Sequence, residues 1–412
     1  MKVLQVNSLF RRGSTGKIAS DIHEELIKRN IESVVCYGRG ENWNEPHVHR
    51  ICNEFYVHIN SLWFRTTGIQ YGGGILSTSK LIRIIKNEKP NIVHLQILNS
   101  AFVNIYRLVK WLKRNRIPTV LTLHAEFMYT GGCGHAFECE QWKSKNGCGF
   151  HQKCPQSDQV KHTLFRDKSH TMWKLMNSAF AGWNDDLIIV SVSPWLCNRA
   201  KQSPIFEDKI HCVVLNGIDA DNIFHPCDTK LSNSIKKDLG IINDKIVFHP
   251  TAFLSSNPAH IKGGYYLIEL AKLMPSVKFV VAGNFEDNLS TPANVILLGN
   301  INDQHKLAAL YSMADLTVLT SKKETFSMVT AESLCCGTPI VGFEAGAPEM
   351  IAIKEYSEFV KYGDLEALKH ITLKWLNKSI NQEDLIEKSN IYSRTVMVEN
   401  YIKVYDRLYS GN

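Results

Sequence analysis

Two α/β units, each a parallel sheet covered by helices on both faces, are predicted by three features of this sequence. Short apolar runs alternate with amphipathic stretches. The alternation lapses and then restarts near residue 245. The chain has 412 residues, too many for one ordinary core.

The elements follow in order. Lys2–Val6 reads as a first buried strand, and Lys17–Arg29 as the helix after it. Ser33–Tyr37, Ile92–Leu95, Thr119–Leu123, Ile188–Val192 and His211–Leu215 are further apolar runs of strand length, with Tyr106–Asn115 as a helix among them. In the second half, Lys245–His249, Lys278–Ala282, Val295–Leu298, Leu316–Leu319 and Pro339–Gly342 are strands. Lys262–Met274, His305–Met313 and Phe326–Cys335 are the helices between them. Ile391–Tyr409 sets Ile391, Val398, Ile402, Tyr405 and Leu408 at helical spacing. Turn residues cluster over Asn216–Lys230, which marks the boundary. The expected domains are therefore 1–220 and 221–390. They are two Rossmann-like halves facing each other across a cleft, with ligands at strand carboxyl ends.

Composition narrows the function classes. The chain is 44% hydrophobic and 21% charged, as globular proteins are. No run approaches the ~18 apolar residues of a membrane span, and MKVLQVNSLFRRG lacks the layout of a signal peptide. A cytosolic location follows as an expectation, and with it reduced thiols or metal ligands for the 11 cysteines. Residues 1–120 hold 18 Lys+Arg against 8 Asp+Glu, whereas the whole chain is only +7. A basic first half suits nucleic acid, anionic lipid or a phosphorylated substrate. No zinc-finger spacing, RNA-binding aromatic pattern or helix-turn-helix is present, so nucleic acid is excluded as a partner.

The sharpest signal is Ser321-Lys-Lys-Glu324-Thr-Phe326-Ser327-Met-Val-Thr-Ala-Glu332, followed by Gly337-Thr-Pro339. A strand runs into a short loop and then a helix that Thr325 or Ser327 can cap and that Gly337 and Pro339 stop. A helix N-terminus suits a pyrophosphate. Glu324, just before the helix, can accept hydrogen bonds from sugar hydroxyls, and Glu332, two turns in, from a ribose diol.

This stretch resembles the glutamate-x7-glutamate motif of family 4 glycosyltransferases, retaining enzymes of the GT-B architecture that build many bacterial polysaccharides. Asn216-Gly-Ile-Asp219, His260-Ile-Lys262-Gly263-Gly264, Phe279-Val-Val-Ala-Gly283, Ile296-Leu-Leu-Gly299-Asn300 and Gly346-Ala-Pro348-Glu349 match that family in the same order. The resemblance covers essentially the whole chain and is strongest over residues 245–352. It implies a GT-B fold in which the last helix (391–412) crosses back to the first domain, and a donor site made by Lys262, Glu324, Phe326, Ser327 and Glu332. Many relatives carry an arginine a few residues before the lysine; Ala252-Phe253-Leu254 has none, which leaves more of the diphosphate charge to Lys262. Asp219-Ala-Asp221 has the letters of a metal-binding Asp-x-Asp signature but lies in the linker turn.

In the first half, Phe10-Arg-Arg-Gly13-Ser-Thr-Gly16-Lys17 follows the first strand. It is not the dinucleotide fingerprint, which counts against an NAD enzyme. In relatives a glycine-rich loop here approaches the donor phosphates, and Gly16 is the matching residue. His124 ends the strand Thr119–Leu123 where relatives carry a histidine near the donor sugar. With Glu324 it is expected at the catalytic centre. The acid that follows that histidine in relatives appears here as Glu126, one place late.

Cys133, Cys139, Cys148 and Cys154 lie within 22 residues, in a segment resembling one subgroup related to colanic acid enzymes. Clustered thiolates in a cytosolic chain suggest a structural tetrahedral zinc; the alternative is buried free thiols. No cofactor is expected for catalysis. Tyr106–Arg116 is a basic helix that either covers the sheet or contacts anionic lipid, with Trp111 and Trp63 suited to an interface.

The sequence thus predicts a retaining hexosyltransferase. It would move a hexose or N-acetylhexosamine from a nucleoside diphosphate sugar, UDP-linked, to a polyprenyl-diphosphate-linked glycan of a bacterial surface polysaccharide (O-antigen, capsule or lipopolysaccharide). Its expected place is cytoplasmic, peripheral at the inner face of the cell membrane. The alternatives are a GT-B nucleotide-sugar epimerase and a catalytically inactive sugar-nucleotide-binding subunit.

Overall fold

Apolar runs become strands where their alternation predicts. In the computed structural model, which describes residues 1–156 and 167–410, the first sheet holds β1 (Lys2–Asn7), β2 (Glu32–Tyr37), β3 (Val48–Arg50), β4 (Ile92–Leu95), β5 (Thr119–Leu123), β6 (Leu187–Ser191) and β7 (Ile210–Val213). Their order is β3-β2-β1-β4-β5-β6-β7, with parallel pairing. The second sheet holds β8 (Lys245–Leu254), β9 (Val277–Phe285), β10 (Val295–Leu297), β11 (Leu316–Leu319), β12 (Ile340–Phe343) and β13 (Ser357–Val360). Its order is β10-β9-β8-β11-β12-β13, again parallel. Parallel strands need crossovers, and the helices supply them: Gly13–Lys28 joins β1 to β2, and Gly264–Leu273 joins β8 to β9.

Both sheets therefore have a switch point. β1 lies between β2 and β4, and β8 lies between β9 and β11, so the chain leaves each central strand in opposite directions. In open α/β sheets ligands bind outside the strand carboxyl ends at such a switch point. The second core shows why the sheet is firm. Val247, Phe279, Val318 and Val341 from four strands pack with Leu267 and Leu270 of the Gly264–Leu273 helix and with Leu368 and Trp375 of the helix Leu365–Leu376.

The chain divides into two compact units, Met1–Leu215 with Val398–Asn412, and Asn216–Met397. The boundary falls at Leu215/Asn216, five residues before the expected 220. The linker turn is stitched to the second unit: Ile218 N–H donates to Tyr392 O (2.8 Å), and Arg394 N–H donates to Ile218 O (2.9 Å). Asp219 pairs with Arg394 at 3.1 Å and also accepts from Asn222 Nδ2 at 2.9 Å. A carboxylate so engaged is part of the turn, not a metal ligand.

The last helix, Arg394–Ser410, gives its residues from Val398 onward to the first unit, as the resemblance implies. Tyr405 OH shares a hydrogen bond with His94 Nδ1 (2.8 Å), and Tyr401 OH with Thr122 Oγ1 (3.1 Å). His94 Nε2 closes the chain on Thr122 Oγ1 at 2.8 Å. Gly411 and Asn412 lie outside the described residues.

Periodicity did not reveal everything. β3 has three residues, and β13 is a half-buried edge strand, Ser-Glu-Phe-Val. The helices Glu54–Thr67, Ile75–Glu88 and Leu365–Leu376 were also not predicted. No helix among the described residues is long and apolar enough to cross a membrane.

Candidate functional site

The second unit gathers its motif residues at the carboxyl ends of β8, β11 and β12. The loop after β11 carries Glu324; the loop before the helix Gly264–Leu273 carries Lys262. Their side chains meet, Lys262 Nζ donating to Glu324 Oε1 at 2.7 Å. Both are part-exposed, 30% and 20%, so the pair faces solvent on one side.

Glycine makes this meeting sterically feasible. Gly263 has φ +65°, and a Cβ there would lie 1.9 Å from the carbonyl oxygen of Thr320. Only a residue without a side chain lets the two loops touch. They are then tied together: Lys322 N–H donates to Ile261 O (2.8 Å), and Thr320 Oγ1 donates to Lys262 O (3.1 Å).

A third loop, after β12, grips Glu324 from the other side. Glu324 N–H donates to Ala345 O at 2.9 Å, and Ala347 N–H donates back to Glu324 O at 3.3 Å. Glu349 holds that loop, accepting from the N–H groups of Ala345 (3.0 Å) and Gly346 (2.8 Å). The Gly346-Ala-Pro348-Glu349 motif thus fixes the backbone of Glu324.

The helix after Glu324 begins at Met328, later than the predicted Phe326. Ser327 is its cap, with φ 87°, and its Oγ accepts from Thr330 N–H at 3.2 Å. A serine held in the left-handed region stores strain, which collects at functional sites. Phe326 is buried and anchors the loop. Glu332 lies on this helix, and Tyr311 OH donates to its Oε2 at 2.8 Å. Sequence reasoning missed Tyr311: it sits in the helix Gln304–Met313, and no local pattern marks it.

Two more groups at this end were missed. Ser255 Oγ (2.7 Å) and Ser256 N–H (3.0 Å) both donate to Glu286 after β9, which fixes the loop that follows β8. His249 on β8 is buried, and Nδ1–H donates to Val318 O at 2.8 Å. Burial pushes its pKa down to about 4, and the nearby Lys262 charge acts in the same direction. Phe253, next to last in this strand, sets its ring 5.6 Å from that of His260.

In the first unit His124 stands at the end of β5, buried, with its pKa pushed down to about 4 by desolvation. It is therefore a neutral imidazole at physiological pH. Glu126, by contrast, is a structural anion. It is fully buried and accepts from Arg199 Nε (2.6 Å), Tyr129 OH (3.0 Å) and Ala136 N–H (2.7 Å). Gly16 is buried where its helix packs on Leu9; an added Cβ would lie 3.2–3.4 Å from that residue. Gly13 and Ser14, three and two places earlier, open the same helix and are exposed. A cavity of about 290 Å³ opens beyond β2 and β4, lined by Arg39, Asn60, Trp63, Gln70, Tyr71 and Asn99 among others. Tyr71 (φ 65°), Ser100 (φ 30°) and Ala101 (φ 56°) are strained non-glycine residues around it.

The four cysteines of the clustered segment are thiols and form no disulfide. Cys133, Cys148 and Cys154 are buried, and Cys139 is half-buried. Among the described residues, no group of three or more His, Cys, Asp or Glu is arranged to hold a metal ion. Cys148 Sγ instead accepts from Gly131 N–H at 3.2 Å.

The basic helix Ile105–Arg114 covers the sheet. Ile105, Tyr106, Leu108, Val109 and Leu112 are all buried, and Lys113 Nζ donates to Ala181 O at 2.8 Å. Its apolar side is thus used up within the fold.

Comparison with known proteins agrees with this architecture. Residues 16–222 match the model of Glycosyltransferase Family 4, and residues 249–391 that of Glycosyl transferases group 1. The chain is 21% identical to WcaC of Escherichia coli, named for colanic acid biosynthesis, over 99% of this chain and 100% of that one. It is 26% identical to the N-acetyl-alpha-D-glucosaminyl L-malate synthase of Bacillus anthracis, over 96% and 93%. Among solved structures, Anabaena HepE in complex with UDP superposes with a TM-score of 0.66 at 15% identity, over 99% of this chain and 100% of that one. With residues 16–222, half the chain, matched by the Family 4 model and residues 249–391 by the group 1 model, the protein belongs to glycosyltransferase family 4 and is a transferase of the GT-B fold.

Proposed function

We propose that this enzyme transfers a hexose or N-acetylhexosamine from a UDP-sugar, with retention of configuration, to a polyprenyl-diphosphate-linked glycan at the cytoplasmic face of the membrane. The observation that carries the reading is the Lys262–Glu324 pair at the switch point of the second sheet, 2.7 Å apart and part-exposed.

Lys262 supplies the positive charge for the diphosphate, and the N-terminus of the helix Met328–Cys335 adds oriented N–H groups. Glu324 receives the sugar hydroxyls, and Glu332, oriented by Tyr311, the ribose diol. His124, neutral through burial, can donate or accept one hydrogen bond without bringing a charge. In the transfer the bond from the anomeric carbon to the phosphate oxygen breaks, and a bond to the acceptor oxygen forms on the same face. The acceptor proton passes to the departing phosphate. The UDP complex of HepE and the colanic acid name of WcaC support donor and pathway class.

The test is thermal stabilisation by a panel of nucleotide sugars, followed by NMR of the product's anomeric configuration. A UDP-sugar should raise the melting temperature most, by mass action, and its transfer should retain configuration. A panel in which no nucleotide sugar stabilises the protein would overturn the reading.

A further inference from the structure

The helix Glu54–Thr67 of the first unit is turned inside out relative to an ordinary surface helix. Its start and stop are conventional: Asn53 Oδ1 accepts from Tyr56 N–H at 2.8 Å, and Gly68 closes it at φ 72°. Its inward side is small. Val57 and Asn60 are its only buried residues, and Asn60 holds the helix in place by donating to Ala101 O (2.8 Å) and accepting from Gly74 N–H (3.0 Å). At 100° per residue, the positions opposite Val57 and Asn60 are Phe55, Ile59 and Leu62. A surface helix normally puts charge there. These three side chains are instead 74%, 46% and 60% exposed. The neighbouring helix adds Ile75 and Leu76, also largely exposed, and the two helices are joined where Leu76 N–H donates to Tyr56 OH at 3.1 Å. A contiguous exposed apolar patch of this kind marks an interaction surface.

Charge identifies the occupant. Residues 50–87 hold five Lys/Arg and one acid, Glu54. That acid is neutralised by Arg39, which reaches it through Nε (3.1 Å) and Nη2 (2.8 Å). His58 and Arg65 lie on the same outer side of the helix, both exposed. Arg107 adjoins the patch, its Nη1 donating to Ile75 O at 3.2 Å. An apolar face flanked by Arg65 and Arg107 is the composition that sits in an anionic lipid interface. The 290 Å³ cavity lies on another side of the same helix, where Trp63 and Phe64 help line it. A glycan carried on a lipid could thus enter the cavity while its carrier stays in the bilayer.

We propose that Phe55, Ile59 and Leu62, with Ile75 and Leu76, seat the first unit on an anionic membrane surface. The proposal rests on the lipid-linked acceptor reading above and moves the contact away from the helix Ile105–Arg114.

The test is co-sedimentation of the full chain with phosphatidylglycerol/phosphatidylcholine vesicles and with pure phosphatidylcholine vesicles. The wild-type protein should bind the anionic vesicles, less as salt rises, and leave the neutral ones. The F55S/I59S/L62S variant should lose binding by ten-fold or more, while donor binding stays as in wild type. K110E/R114E should change vesicle binding less than two-fold. Unchanged binding by the triple variant would overturn the proposal, as would a wild-type protein that ignores anionic vesicles. A wild-type dimer that the triple variant converts to monomer, with no vesicle binding, would assign the face to a second copy of the chain and also overturn it. Failure of the donor panel alone would reject the proposed UDP-sugar donor while leaving the vesicle result to stand or fall separately.

Discussion

Lys262 and Glu324 stand 62 residues apart in sequence and 2.7 Å apart in space. Each neutralises the other at the place proposed above for the phosphate charge and hydroxyls of a nucleoside diphosphate sugar. Being part-exposed, the pair adds little to stability, about 1 kcal/mol at most. Its worth is positional: each partner holds the other where the ligand will need it.

Glu324 and Glu332 should separate kinetically. Glu332, held by Tyr311, is assigned above to the ribose, far from the breaking bond, so Glu332→Ala should mainly raise the donor KM. Tyr311→Phe should raise it in the same sense and by less. Glu324→Ala should lower kcat by about 100-fold or more, and Glu324→Gln should recover only part. Donor-saturation kinetics at fixed acceptor measure both; wild-type values in the two alanine variants with the fold intact would move the donor site elsewhere.

Gly263→Ala should cost far more than an average left-handed glycine. The new Cβ would press on Thr320 O at 1.9 Å, against backbone that cannot yield without displacing the loop of Glu324. A loss of about 2–4 kcal/mol is expected, together with weakened donor binding. Gly240 has a similar φ, +69°, but open space around it. Gly240→Ala should therefore cost only about 1 kcal/mol. Urea midpoints for the two variants give the comparison directly.

Acid should unfold this protein through its buried histidines. Burial lowers His94 to about 3 and His124 and His249 to about 4. Unfolded, each titrates near 6.5, so the unfolded chain binds more protons below that pH. Stability should be complete above pH ~6.5 and fall as pH drops toward 4, by about 1.4 kcal/mol per pH unit per histidine. His94→Gln should flatten the slope by one proton's worth. Unfolding free energies at pH 7.5, 6 and 5 would show this, and a slope unchanged in the variant would remove His94 from the account.

Glu126 should be a stability residue and not a catalytic one. Glu126→Ala leaves Arg199 deprived of its buried partner and should cost about 3–5 kcal/mol. Donor KM should stay near wild type in whatever fraction remains folded. A large kinetic defect at unchanged stability would return Glu126 to the reacting centre.

The sequence by itself determined the two sheets and the donor motifs. Buried parallel strands write themselves as continuous apolar runs, and a phosphate-binding helix start needs its glycines and carboxylates in a fixed local order. Thr119–Leu123 and Leu316–Leu319 are legible for that reason. Tertiary structure decided what depends on partners remote in the chain. Tyr311 orients Glu332 across 21 residues, and Glu126 became a buried anion because Arg199 reaches it from 73 residues away. The four cysteines, adjacent in sequence, were not gathered into a ligand set among the described residues. The apolar side of Ile105–Arg114 was buried, while that of Glu54–Thr67 was left outward. Amphipathic spacing states only that a helix has an apolar face. Which face meets the core is settled by what else packs against the sheet.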